Sequence, residues 1–266
     1  MLSFKIYSIA TAFFCLGISP DFSFWGDRIK GSGNLVKETR EVGSFTAVKI
    51  TNHGNLYIEI GDRFHLEIEA EDNIQEYLQA KVKGDTLVIG KDRRSVNINP
   101  RKKMSYYLTV PPNTLKALIA TSHGDIHCPA LNQPEVRIHS TSHGNIFVET
   151  IEAQNVDITM TSHGDLSITS LTAEQLNVEQ TSHGRIRIEE GRCGNLDLQQ
   201  TSHGHFKATG LNVETADVHQ TSHGLIKLSV HGDLTVRATS HGDIYYRGDP
   251  QTHIRAGKRA TVKALR

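Results

Sequence analysis

The distribution of apolar and polar residues repeats with a period of twenty from residue 121 onward. Within each period, two short stretches alternate between apolar and polar residues, which is typical of β-strands with one buried face. The first stretch places apolar side chains two and four residues after a glycine, and the second places two more about ten residues later. The alternation predicts two strands in each period, and the repetition predicts that successive periods stack on one another.

Each period begins with the four-residue motif Thr-Ser-His-Gly. The motif starts at Thr121, recurs every twenty residues as far as Thr221, and appears once more at Thr239 after eighteen residues. The segment Thr51-Asn52-His53-Gly54 is a near copy. We predict an all-β fold, a single elongated parallel β-solenoid with coils of about 20 residues, in which equivalent residues stack about 4.8 Å apart. The shorter last coil is expected to have lost two residues in a turn, with its strands still in register.

The pattern divides the chain into five segments. We predict a signal peptide at 1–19, a linker at 20–30, a less regular N-terminal part of the β domain at 31–120, a regular solenoid of seven motif-bearing coils at 121–246, and a C-terminal cap at 247–266. The apolar run from Ile6 to Ile18 follows a lysine and is too short to span a bilayer, which takes about 20 residues. It therefore predicts export to the periplasm, the outer-membrane surface or the extracellular space. An uncleaved N-terminal anchor is the alternative, and only that anchor is expected to contact a membrane.

Charge and cysteine content narrow the range of partners. The chain has 29 basic and 29 acidic residues, so its zero net charge gives no reason to expect nucleic acid as a partner. Cys15 is expected to leave with the signal peptide. Cys128 and Cys193 lie about three coils apart, too far for a disulfide, and we expect both to be free and protected.

The glycine that ends each motif is predicted to have a structural role. It lies where the second strand of one coil passes into the first strand of the next, and we expect its backbone angles to be closed to other residues. The corner glycines are Gly124, Gly144, Gly164, Gly184, Gly204, Gly224 and Gly242.

The motif histidines are predicted to form an outward-facing column. If strand alternation continues through the corner, Ser142 and Ser162 point inward while the threonines and histidines point outward. The column contains His123, His143, His163, His183, His203, His223 and His241, with His53 at its far end. One interpretation is a solvated edge held by ring packing and by hydrogen bonds to the threonines, destabilised in mild acid because adjacent imidazolium charges repel. The alternative is a metal site, because imidazoles one coil apart need only modest rotation to share zinc, copper or nickel. The repeat fixes no third or fourth ligand, so we predict no cofactor and keep Zn, Cu or Ni as the alternative.

The sequence does not favour catalysis, and we predict that the protein is not an enzyme and has no catalytic residues. Neighbouring serine and histidine residues on a strand point to opposite faces, so they cannot form a nucleophile and base pair. The carboxylates Asp125, Asp165 and Asp243 share a column, but other residues interrupt it where a polysaccharide lyase would need clustered calcium ligands. An ice-binding face is also disfavoured, because the second position of a Thr-x-Thr pattern is histidine here.

Several segments together carry a resemblance to a known family. They are Gly31-Ser32-Gly33-Asn34, Arg40, Phe45, Val48, Glu71-Asp72-Asn73, Leu87-Val88-Ile89 and the stretch from Tyr246 to Pro250. In this order they resemble exported bacterial proteins of the putative autotransporter adhesin, head GIN domain family. The resemblance implies a β-solenoid-like fold and a location in the cell envelope. Family members usually carry Ser-Gly-Ser-Gly at the repeated corner, where this chain has Thr-Ser-His-Gly.

These observations predict a non-enzymatic exported protein of the cell envelope or surface. It would present a repetitive solenoid face for adhesion or structural contact, with an unidentified surface or envelope ligand as its partner. The alternative function is transition-metal binding through the histidine column. The oligomeric state is left open.

Overall fold

The computed structural model describes residues 28–92, 97–181, 183–201, 203–221 and 223–265. The predicted signal peptide, Cys15 and most of the predicted linker lie outside these residues. About 67% of the chain is strand and 2% helical, which confirms the all-β prediction. The single helix of the described residues is the four-residue α1 (Asp72–Gln75).

Twenty strands account for most of the described residues. In chain order they are β1 (Arg28–Lys30), β2 (Leu35–Arg40), β3 (Ala47–Ile50), β4 (Asn55–Ile60), β5 (His65–Glu71), β6 (Leu78–Lys83), β7 (Thr86–Lys91), β8 (Asn97–Asn99), β9 (Ser105–Val110), β10 (Ala117–Ala120), β11 (Ile126–Asn132), β12 (Glu135–Ser140), β13 (Ile146–Met160), β14 (Leu166–Gln180), β15 (Arg185–Gln200), β16 (His205–Gln220), β17 (Leu225–Ala238), β18 (Asp243–Arg247), β19 (Gln251–Ala256) and β20 (Thr261–Ala264).

Parallel pairing between residues twenty positions apart builds a β-solenoid, as predicted. Ile146 pairs with Leu166, and Leu166 pairs in turn with Ile186. One ladder runs from β3 through β10 and β12 to β13, and a second runs from β4 through β11 to β13. Both continue through β14, β15 and β16 to β17. The predicted inward columns form one continuous apolar core along the axis.

The two strands expected in each regular coil are joined into one. Strands β13 to β17 are 14 to 16 residues long, and each pairs with its neighbours on both sides of the bend. The reason is an additional inward column at the bend, where Ile151, Leu171, Leu211 and Val230 are fully buried. Because the bend keeps an apolar inner face, the backbone can remain hydrogen-bonded to the neighbouring coils through it.

The shorter coil keeps its register, as predicted. Irregularities in the pairing of β16 with β17 lie between Ala208 and Asn212 and between Val213 and Thr215. On either side of them, the core columns continue into the next coil. The missing residues are therefore absorbed at the bend.

The two ends of the solenoid differ. At the N-terminal end, β7 and β9 pair with the antiparallel strands β6 and β5, and β5 pairs with β2, so the outer edge is covered. At the other end, the segment 247–266 was predicted to be a cap. Its strands β19 and β20 add in parallel to β17 and β18.

Both cysteines of the regular part are free and buried, as expected. Burial raises the pKa of the Cys128 thiol to about 12 and that of Cys193 to about 11. In the described part of the chain, no helix is long and apolar enough to cross a membrane.

Candidate functional site

The repeated corner orients its side chains as strand alternation predicts. In the coil that begins at Thr141, the Thr141 and His143 side chains are exposed, while Ser142 is 3% exposed and Gly144 is buried. The Ser142 and His143 side chains therefore lie on opposite faces, and this copy of the motif holds no nucleophile and base pair.

The motif histidines stack ring on ring along the solenoid. Their centroids are 4.7 to 5.2 Å apart, and from His123 onward adjacent rings are within 7° of parallel. His53, from the near copy of the motif, stacks on His123 at 4.9 Å. We call these eight residues the His column: His53, His123, His143, His163, His183, His203, His223 and His241. All eight are exposed, so the column presents an unbroken row of ring edges to solvent.

Each end of the His column lies near a positive charge. At one end, partial burial lowers the pKa of His53, with further lowering from His123 and from the Lys91 ammonium group. At the other end, a guanidinium nitrogen (Nη1) of Arg259 lies 3.3 Å from Nε2 of His241. This contact is within hydrogen-bond distance, and arginine can only donate in it. A cationic side chain therefore lies close to the column at each end.

The geometry of the His column differs from that of a closed metal site. Two nitrogens bound to one zinc ion lie about 3.4 Å apart, since each bond is 2.0–2.1 Å long. Near-parallel rings about 5 Å apart keep equivalent nitrogens farther apart than this. Within the described residues, no group of three or more histidine, cysteine, aspartate or glutamate side chains is placed to hold a metal ion. Metal binding would require neighbouring rings to rotate out of the stack.

Six of the corner glycines do not have the backbone angles that we expected. Gly124, Gly144, Gly164, Gly184, Gly224 and Gly242 do not have the positive φ that we expected; among the motif glycines, Gly54 of the near copy has it, at 141°. A Cβ atom at Gly144 or Gly164 would instead overlap with the carbonyl oxygen of the glycine in the preceding coil. At Gly242 it would overlap with the side chain of Gln220. These six positions therefore require glycine because the coils approach closely there, and not because the backbone adopts a positive φ.

A buried ladder of glutamine side chains lies behind the corner, and sequence reasoning missed it. Gln180, Gln200 and Gln220 each directly precede a motif threonine and are at most 1% exposed. Nε2 of Gln200 donates to Oε1 of Gln180 at 2.8 Å, and Nε2 of Gln220 donates to Oε1 of Gln200 at 2.7 Å. Each Nε2 also donates to the carbonyl oxygen of the corner glycine four residues later, over 2.6 to 3.0 Å. The amide ladder thus ties the position of each corner to its neighbour.

The threonine hydroxyls bond to the backbone, and we had expected them to bond to the histidines. Oγ1 of Thr51 donates to the Ile89 carbonyl and Oγ1 of Thr121 donates to the Ile50 carbonyl, both at 3.2 Å. In the described residues, the His column is accordingly held by ring stacking without hydrogen bonds from the threonines. Beyond the corner, Asp125, Asn145 and Asp165 each accept a hydrogen bond from the backbone N–H of the next coil, over 2.8 to 3.0 Å. Two of the carboxylates weighed as calcium ligands therefore serve the stacking of coils.

Comparison with known proteins agrees with the fold. The sequence profile of the family described as "Putative auto-transporter adhesin, head GIN domain" matches residues 44–250. A putative adhesin from Parabacteroides merdae is similar in structure, with a TM-score of 0.79, 18% identity, and coverage of 91% of this chain and 100% of that one. A putative adhesin from Parabacteroides distasonis gives a TM-score of 0.80, 21% identity, and coverage of 90% and 100%. A putative lipid binding protein from the same species gives a TM-score of 0.77 and 17% identity, with coverage of 90% of this chain and 100% of that one. None of the functionally curated proteins matches the chain.

Proposed function

Because the chain belongs to the putative auto-transporter adhesin, head GIN domain family, we propose that it is a non-enzymatic, exported protein of the cell envelope or surface that mediates adhesion or structural contact. The observation that supports this most is the row of eight exposed, stacked imidazoles on a rigid solenoid. Such a face repeats one contact many times, and repeated weak contacts on a stiff scaffold give avidity without a deep pocket.

Localisation and adhesion are tested with the full chain. Antibody labelling of intact and permeabilised bacteria that produce the chain measures its exposure, and we expect labelling before permeabilisation. Beads coated with the purified chain are then applied to bacterial envelope preparations under flow. We expect them to be retained, and to be retained equally in the presence of EDTA. Labelling only after permeabilisation together with no bead retention would contradict the proposal.

Transition-metal binding is the second candidate function, and it rests on the continuity of the His column. It is measured by calorimetric titration with zinc, copper and nickel at neutral pH. The matched variant changes His143, His163, His183 and His203 to serine, which removes half of the rings and leaves the buried ladder intact. Saturable sub-micromolar binding that is lost in the variant would favour metal binding over adhesion. Weak binding, or binding that the substitutions do not change, would remove this candidate.

A further inference from the structure

A second outward-facing column runs along the first strand of each coil and changes from aromatic to cationic; Phe147, Arg187 and Lys207 in its middle are exposed. Parallel register places its members one coil apart, in the order Tyr107, Tyr57, His127, Phe147, Ser167, Arg187, Lys207, Lys227 and Tyr245. We call this the first-strand column. All its members except Tyr107 follow a histidine of the His column by four residues, so it runs beside the His column and does not share residues with it.

The aromatic half is a stack with one end covered and one end open. Centroid distances are 5.6 Å from Tyr107 to Tyr57, 5.0 Å from Tyr57 to His127 and 4.8 Å from His127 to Phe147. Nζ of Lys37 lies 4.3 Å from the Tyr107 centroid and covers that end. At the other end, the residue next in register to Phe147 is Ser167, which is too small to cover a phenyl ring. One face of Phe147 is thus open, in keeping with its 38% exposure.

The cationic half begins one coil beyond the serine. Arg187, Lys207 and Lys227 occupy three consecutive coils. Nε of Arg187 is 3.0 Å from a carboxylate oxygen of Glu189 in its own strand. Within the described residues, Lys207 and Lys227 make no ion pair with a carboxylate. Like charges stacked one coil apart repel, and a bound anion would relieve that repulsion.

A groove of about 550 Å³ joins the two halves. Phe147 forms one wall, Ser167 lies on the floor, and Arg187 and Lys207 form the other wall. Phe147 and Arg187 are two coils apart, so the space above Ser167 is one rung of the stack, the thickness of a single six-membered ring. A guanidinium group packs well against a flat ring and binds carboxylate or sulfate in a bidentate manner.

We propose that this groove binds an acidic saccharide, with the apolar face of one pyranose ring on Phe147 and its anionic group bound by Arg187, Lys207 and Lys227. The inference rests on the proposed adhesive function and names the ligand class for it. The Ser167 hydroxyl also lines the groove and can bond to a sugar hydroxyl. Nucleic acid fits less well, because single strands are usually bound by several aromatic faces on which successive bases stack, and this groove offers one open aromatic face, that of Phe147.

The test is calorimetric titration of the full chain with four defined probes. Oligogalacturonate supplies a carboxylated saccharide, a heparin oligosaccharide supplies a sulfated one, maltohexaose supplies a neutral one, and oligothymidylate supplies a single-stranded nucleic acid. We expect binding to at least one acidic saccharide that weakens as salt is raised, and at least tenfold weaker binding of maltohexaose and oligothymidylate. The proposal would be overturned if maltohexaose or oligothymidylate bound as tightly as the acidic saccharides or more tightly. It would also be overturned if neither acidic saccharide bound.

Two substitutions locate the site. Ser167→Phe places another ring in a column that already stacks aromatic rings, so it fills the rung and leaves the fold intact. Lys207→Ser removes an unpaired cation. Arg237→Ser is the matched control, because Arg237 is an exposed cation on the second strand of its coil. We expect the dissociation constant to rise at least tenfold in the first two variants and to stay unchanged in the control. The melting temperature of each variant is expected to be no more than about 2 °C below that of the parent. Unchanged binding by Ser167→Phe would overturn the assignment.

The outcome is separable from that of the proposed function. If the beads adhere to envelope preparations while neither acidic saccharide binds, this inference fails and the adhesive function stands. If an acidic saccharide binds at this groove while the beads do not adhere, the groove assignment stands and the adhesive function fails.

Discussion

Replacing Gln200 by methionine tests whether the buried amide ladder holds the corners together. Gln200 is the middle of three rungs and is fully buried. Methionine has a similar length, and Met160 already occupies the same column one coil before Gln180. The substitution therefore keeps the shape of the core and removes the hydrogen bonds.

The expected loss follows from the partners that are left behind. Oε1 of Gln180 loses its donor at 2.8 Å, and Nε2 of Gln220 loses one acceptor at 2.7 Å. The Gly204 carbonyl keeps its bond from the Leu225 N–H at 3.2 Å and is less affected. Oε1 of Gln180 becomes an unsatisfied buried polar group, which costs about 1–3 kcal/mol, whereas Nε2 of Gln220 keeps its bond to the Gly224 carbonyl and loses one hydrogen bond, worth about 0.5–1.5 kcal/mol. Together they predict a loss of roughly 3 kcal/mol in the free energy of unfolding. In a domain of this size, that lowers the melting temperature by about 6–12 °C.

Thermal unfolding and amide hydrogen exchange measure this loss. Gln199→Met is the matched control, because Gln199 is the exposed neighbour on the same strand and its substitution is expected to stay within about 0.5 kcal/mol of the parent. We expect faster exchange in the Gln200 variant at the N–H of Thr221, which donates to the Gln200 carbonyl at 3.0 Å. If the two variants unfold at the same temperature, the ladder does not stabilise the fold and the reasoning is refuted.

Three further predictions use other features of the corner. Oε1 of Gln220 is buried and has no hydrogen-bond partner among the described residues, and Ala238→Gln would supply a donor; we expect about 1 kcal/mol more stability by denaturant titration, and no gain would mean that the ladder cannot be extended. Gly164→Ala places a Cβ against the preceding coil's carbonyl oxygen and is expected to cost at least about 1–3 kcal/mol, while Gly43→Ala, in open space, is neutral or slightly stabilising; equal effects would contradict the close approach. The lowered pKa of His53 means that its contribution to stability is complete above a pH of about 6.5, its unfolded value, and is lost as the pH falls from there through the folded pKa; we expect a lower melting temperature at pH 5 than at pH 7.5 and a smaller difference in His53→Gln. An identical pH dependence in that variant would rule out this role for His53.

Much of the fold could be predicted from the sequence, because each coil of a solenoid repeats the same pattern of apolar and polar positions. A single apolar residue such as Ile146 says little, but the same residue type at Leu166 and Ile186 fixes both the strand and its stacking partner. The inward Ser142 and the outward His143 follow from alternation in the same way. The N-terminal part has no such repetition. Its antiparallel pairing of β5 with β9 depends on which edge of the solenoid is left uncovered, and the sequence period does not show that.

The features that were missed are properties of the stack and not of one strand. Polar residues are expected to face solvent, so Gln180 and Gln200 have no local reason to point inward; the partner that permits it is twenty residues away. Similarly, a glycine in a turn usually indicates positive φ. At position 164 glycine is needed for a different reason, because the preceding coil leaves no room for a Cβ atom. The signal was present in the sequence, since glutamine precedes the motif in three consecutive coils. Recognising it requires the stacked coils to be considered together.

The corner separates the residues that hold coils together from those that meet solvent, and this separation decides how function can be tested. Glycine contacts and the amide ladder fix the spacing from inside, while the His column is exposed and the first-strand column faces outward, with Arg187 and Lys207 exposed. Substitutions such as His143→Ser and Lys207→Ser should therefore change surface chemistry with little change in stability. A loss of binding in them reports on contact with a ligand, whereas a loss of binding in Gln200→Met reports on the spacing of the coils. The two kinds of variant together distinguish a ligand that contacts one groove from one that depends on the regular repeat of the whole face.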